Sequence, residues 1–193
     1  MGMKSIKDIY KIGKAPSSSH TMGPFKSVRH YVNHHTEAKE LHVTLYGSLA
    51  ATGKGHLTDW ACEDAFRDGK VHIEWQPKEN LPMHPNGMKV SVCNADGSLD
   101  DTWTYYSIGG GDIVCIECPL ETEGSSEVYE LTTLSDIMDW CNANGKSYWE
   151  YVEENEGRNS GVWEHLEKVW KTMRDAVERG IDQEGALPGP LNI

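Results

Sequence analysis

The sequence predicts a mixed α/β (α+β) domain over its first two thirds, followed by a C-terminal helical extension. Three observations predict it. Short runs that alternate apolar and polar residues recur between residues 41 and 108, helical apolar spacing precedes and interrupts them, and after about Gly124 helical stripes take over. With 193 residues, 38% of them apolar and 25% charged, the chain is long enough to bury a core without disulfide or metal staples.

Taken in order, Ser5 to Ile12 places Ile6, Ile9, Tyr10 and Ile12 at near-helical spacing and stops at Gly13, a short amphipathic helix. Pro24 suits the first turn of a second helix running to about His34, with Phe25, Val28, Tyr31 and Val32 inward. Leu41 to Tyr46 alternates as a half-buried strand and runs into a glycine-bearing turn at 47–56; a helix follows from Thr58 to Arg67. Val71 to Trp75, Met88 to Cys93 and Thr102 to Ile108 read as strands, with turn signals at Asn86-Gly87 and Asp96-Gly97 and a stop at Gly109-Gly110-Gly111. Leu131 to Cys141 is helical, and Val162, Leu166, Val169, Trp170, Met173 and Val177 form a long stripe that closes at Gly180. The tail from Ala186 to Pro190 has linker character. The expected division is a core over 1–124, a helical extension over 125–180, and a linker over 181–193.

Charge narrows the function classes. Eighteen basic residues stand against 30 acidic ones, a net charge of −12, and no basic stripe stands out. Nucleic acid and acidic membrane surfaces reward clustered Lys and Arg, so neither is an expected partner. No apolar run reaches the roughly 20 residues of a membrane span. The N-terminus lacks the apolar stretch of a secretory signal, so a cytoplasmic setting with five reduced cysteines is expected.

Three segments, 16–24, 47–56 and 107–111, combine small residues with hydroxyls or exposed amides. Ser17, Ser18, Ser19 and Thr21 ahead of Pro24 fit either an anion cradle at a helix start or a serine-rich turn with one capping residue. The 47–56 segment is not a P-loop: five residues rather than four separate Gly47 from Gly53, and Gly55 stands where the magnesium-binding hydroxyl belongs. Of nine histidines, His30, His34 and His35 fall at a helix end and His42 and His165 on polar faces. His20 and His56 lie within the small-residue segments, where an imidazole serves either structure or proton transfer. Cys115-Ile116-Glu117-Cys118 is a CxxC without a second CxxC, half of a tetrahedral metal site at most, so no metal ligand is assigned.

Pro16-Ser17-Ser18-Ser19-His20-Thr21-Met22-Gly23-Pro24 resembles the signature near the start of iron–sulfur-dependent L-serine dehydratases, also called L-serine ammonia-lyases. The resemblance continues through Tyr46-Gly47-Ser48-Leu49, Thr52 to His56 with Thr58-Asp59, Asn86-Gly87-Met88 and Tyr105 to Gly111, and closes with Leu187 to Leu191. It implies a β domain similar to the allosteric substrate-binding domain of some phosphoglycerate dehydrogenases. It implies further that L-serine becomes pyruvate and ammonia with a [4Fe–4S] cluster held by an α domain beyond this chain, which alone would be inactive. By motif match His56 is the candidate base. Ser17, Ser18, Ser19, His20 and Thr21 would form the mouth of the substrate site, with Lys54, Gly109, Gly110 and Gly111 shaping it. None of the five cysteines matches a cluster ligand. Expected partners are L-serine, the α domain and a second copy of the chain. A different class, a stand-alone amino-acid-binding regulatory module without catalysis, fits the same fold.

Overall fold

The computed structural model describes residues 2–14, 16–120, 127–157 and 161–186. The chain packs as two units, residues 13–121 as one, and residues 1–12 with 122–185 as the other.

The first unit is built on a five-stranded sheet of β2 (Glu40–Tyr46), β3 (Lys70–Gln76), β4 (Gly87–Cys93), β5 (Leu99–Gly109) and β6 (Asp112–Cys115), in the order β3-β2-β4-β5-β6. β2 and β3 are parallel, joined by a crossover containing α2 (Gly47–Thr52) and α3 (Thr58–Ala65); the other neighbours are antiparallel. Strand alternation sets which face is covered. Leu41, Val43 and Leu45 lie beside Val71, Ile73 and Trp75 on one side and Val92, Val90 and Met88 on the other. With Tyr105 of β5, these side chains form a core with Val28 and Tyr31 of α1 (Gly23–His34), Leu49 of α2, and Cys62 and Ala65 of α3. Each fully buried Leu or Val contributes about 1.5–3 kcal/mol, so this single face holds the sheet unit together. The opposite residues, Glu40, His42 and Thr44, face His72 and Glu74 instead, with His72 Nε2 to Glu40 at 2.7 Å and His42 Nε2 to Glu74 at 3.0 Å. One face is helix-covered and the other polar.

The second unit pairs β1 (Met3–Lys4) with β7 (Glu127–Tyr129) and adds α4 (Leu134–Asn144), α5 (Tyr148–Glu156) and α6 (Val162–Ile181). Buried Glu156 ties it together. Its carboxylate accepts from Tyr129 OH (2.6 Å), Ile6 N–H (2.8 Å) and Ser5 Oγ (2.7 Å). Burial alone would raise its carboxyl pKa, but these hydrogen bonds outweigh that and hold it low.

The mixed α/β core and the long C-terminal helix match the sequence reading; local details differ. The first segment makes only a 3-10 turn, Ile6–Asp8, with Ser5 and Ile6 held by Glu156, and Ile9 is left exposed. The segments at 16–24 and 47–56 are largely helical rather than loops. The stripe on α6 is buried only at Val162 and Val169; Trp170, Met173 and Val177 are exposed. The Leu187 to Leu191 motif lies outside the described residues.

Candidate functional site

The serine run folds as a single π-helical turn, Ser18–Met22, that feeds directly into α1. Met22 N–H bonds Ser17 O (3.1 Å) and Gly23 N–H bonds Ser18 O, the five-residue spacing that defines it. Single π turns inside helices concentrate at functional sites. Ser17 caps the turn, its Oγ accepting from His20 N–H at 3.2 Å.

This turn places His20 against His56, with ring centroids 4.7 Å apart. Two hydroxyls clamp the two segments together: Thr21 Oγ1 donates to His56 O (2.8 Å) and Thr58 Oγ1 donates to His20 O (2.6 Å). The buried His20 ring is held at both nitrogens. Nε2 faces the Ser48 carbonyl (3.2 Å) and Ser48 Oγ (3.1 Å), and Nδ1 faces Ser19 Oγ (2.9 Å). A carbonyl only accepts, so Nε2 carries the proton and Nδ1 accepts from Ser19. Burial and the neighbouring His56 ring push the His20 pKa below its ordinary value, more than the Ser48 carbonyl raises it. His20 is therefore a neutral ring locked in place.

Half-buried His56 is oriented differently. Its Nδ1 lies 3.0 Å from Thr52 O, so the proton sits on Nδ1 and the lone pair on Nε2. That is the tautomer of a proton acceptor.

The glycine-rich turn joins β5 to β6 and approaches the start of α1. Lys26 Nζ donates to Gly111 O (2.6 Å), and a Cβ on Gly111 would stand 3.2 Å from Met22 Cε. Gly109, Gly110 and Gly111 all have positive φ (108°, 58° and 79°), which explains the triplet conformationally. Thus the 17–21, 56 and 111 segments converge around the π turn. Gly109 and Gly110 face open space. Lys54 is engaged elsewhere, 3.1 Å from Asp59 and over the Trp75 ring at 5.1 Å. Exposed Ser18 leads the turn.

Three contributing residues were not singled out in the sequence. Ser48 and Thr58 sit inside quoted motifs, but their bonds to His20 span 28 and 38 residues. Ser107 is buried beside Gly23, with its Oγ unpartnered among the described residues. Asn86 bonds both backbone groups of Ser107 (3.0 and 3.3 Å), and that reciprocity is the signal linking the two motifs.

An iron–sulfur cluster does not fit these residues. Cluster binding needs several converging thiolates. Cys62 is fully buried in the apolar core, which pushes its thiol pKa far up. Cys115 is buried on the helix-covered face, Cys93 ends β4, and Cys141 belongs to the other unit. Each of the two His/Cys/carboxylate groupings among the described residues contains a single cysteine.

The sheet unit thus brings two imidazoles into contact, their segments clamped by two threonine hydroxyls, on an α/β scaffold. The profile of the serine dehydratase beta chain matches residues 5–65 and 63–117, and the chain belongs to that family. It is 33% identical to an L-serine dehydratase of Haemophilus influenzae across 99% of this chain and 52% of that protein. It is 32% identical to L-serine dehydratase 1 of Escherichia coli, with the same shares. An L-serine dehydratase of Streptomyces coelicolor is 28% identical across 98% of this chain and 52% of its own length. The chain spans about half the length of these curated relatives.

Proposed function

We propose that this chain is the β part of an L-serine dehydratase, supplying the proton-accepting side of a pocket shared with a further domain. The observation that carries the reading is the contact of His20 with His56, built from the motifs that resemble the family's and oriented so that His56 Nε2 is free to accept.

In the reaction, the α-proton of L-serine is removed and the β-hydroxyl departs as water. The resulting enamine tautomerises and hydrolyses to pyruvate and ammonia. Elimination needs a base aligned with the Cα–H bond, and His56 Nε2 takes that role. His20, fixed by Ser19 and Ser48, holds the His56 ring in place and remains neutral when His56 gains the proton. No described residue here assists departure of hydroxide, so that assistance comes from outside the chain. The [4Fe–4S] cluster implied by the resemblance belongs there, in an α domain. The exposed apolar side of α6, with Trp170, Met173 and Val177, supports the presence of a covering partner.

The test is complementation. This chain is mixed anaerobically with the remaining half of a relative's enzyme, iron and sulfide, and pyruvate is assayed on L-serine. Pyruvate formed only when both halves are present supports the proposal. Tight, saturable L-serine binding by this chain alone in calorimetry, with no pyruvate from the mixture, would favour the non-catalytic sensor instead.

A further inference from the structure

We propose that His30, His34 and Cys118 form a binding site for a borderline-soft divalent metal ion, with zinc(II) the best match, unrelated to the histidine pair described above. The two histidines lie four residues apart on α1, and so on one face of that helix. Cys118, just past the end of β6, comes to them from 84 residues away. Its Sγ is 3.7 Å from His34 Nε2, and one donor atom from each of the three residues lies within 4.8 Å of the others. Zinc–nitrogen bonds of about 2.0–2.1 Å and zinc–sulfur bonds of about 2.3 Å place tetrahedral neighbours roughly 3.6 Å apart. The sulfur–nitrogen separation is already that of two ligands on one ion.

The surroundings orient the donors as metal sites require. His34 Nδ1 lies 2.8 Å from the His30 carbonyl, so its proton is held there and the Nε2 lone pair faces Cys118. His30 Nδ1 lies 2.9 Å from Tyr105 OH. With the Tyr105 oxygen accepting from His30 Nδ1–H, the lone pair is left on Nε2. This second contact, imidazole N–H to a fixed oxygen, is the outer shell that tunes histidine ligands. Cys118 N–H points at Cys115 Sγ (3.4 Å), fixing the turn that presents Cys118. His34 is exposed, which leaves a route for the ion and a fourth position for water. On binding, the Cys118 thiol loses its proton to solvent and the ion pins α1 to the segment after β6. The other grouping, Glu40, His72 and Cys93, explains itself as a cross-strand ion-pair ladder, with Glu40 bonded to His72 at 2.7 Å and 3.8 Å from Lys70.

Cobalt(II) titration of the full chain under reducing conditions tests this. The expected result is one saturating equivalent with a thiolate-to-cobalt charge-transfer band. Cys118→Ser abolishes the band, and His34→Ala weakens binding by more than the roughly 10–100-fold that an outer-shell change costs. Tyr105→Phe, a positioning change, weakens it by about 10–100-fold, while circular dichroism shows the fold intact. Cys93→Ser leaves the band unchanged. Absence of a saturable band overturns the proposal. So does a band that survives Cys118→Ser or disappears in Cys93→Ser.

Discussion

At the scale of single residues, the proposed chemistry rests on how two imidazoles are held. Ser19 and Ser48 occupy both nitrogens of His20, whereas among the described residues one nitrogen of His56 is engaged, which is why the proposal gives positioning to the first and proton transfer to the second. A histidine held below its ordinary value of 6.5 binds fewer protons folded than unfolded. Its contribution to stability is therefore complete at higher pH, falls as pH drops through about 6.5, and levels off below the folded value. His30 adds to the same trend. The urea midpoint of the chain should accordingly fall between about pH 7.5 and about pH 5.5, with the His20 ring titrating below 6.5 by NMR. A flat or rising midpoint would contradict this. Thr58→Val leaves the His20 carbonyl without its 2.6 Å donor and should cost about 1–3 kcal/mol in urea unfolding. At this scale the sequence revealed the residue types, since 17–21 and 56 stand out by motif. It hid the clamps, because Ser48 and Thr58 act on a residue far away in the chain.

At the scale of elements, strand alternation was the dependable signal and small-residue segments were the misleading one. Ser-rich and Gly-rich stretches read as loops, yet the structure makes a π turn of one and a helix of the other. Gly47 shows why. Its φ of +50° turns β2 into α2 without a connecting residue, and the first N–H groups of α2 are taken by Glu79 O (2.7 Å) and Pro85 O (3.0 Å). The helix start is thus satisfied from within rather than open to an anion. A Cβ there would overlap Asn80 Oδ1 and stand 2.6 Å from Pro85 O. Gly47→Ala should therefore destabilise by about 2 kcal/mol or more. Gly110→Ala, with positive φ but open space around it, should cost only the conformational part, about 1–2 kcal/mol. Equal losses in urea unfolding would show that the close approach at Gly47 is unimportant. Helix α5 was legible in principle: Ser147 and Glu150 form a capping box, its signature three residues apart in the sequence. The strands β1, β6 and β7 are too short to carry an alternation of their own.

For the whole molecule, family membership and the proposed half-site are consistent. In the proposal two imidazoles in contact provide a base and none of the described residues provides a strong electrophile, while the chain covers 52% of its relatives' length. The helical unit leaves an apolar side uncovered beyond Val169, and no helix among the described residues is long and apolar enough to cross a membrane. A sequence stripe states which residues share a helix face. What covers that face is decided by tertiary contacts that lie outside the sequence pattern. The central claim is that His56 removes the α-proton of serine. Its most direct test is the turnover of the complete enzyme, assembled from both halves, with His56→Ala in this chain. The account predicts pyruvate formation slowed by about 10²–10⁴-fold in kcat with KM for L-serine little changed; wild-type turnover in that variant would contradict it.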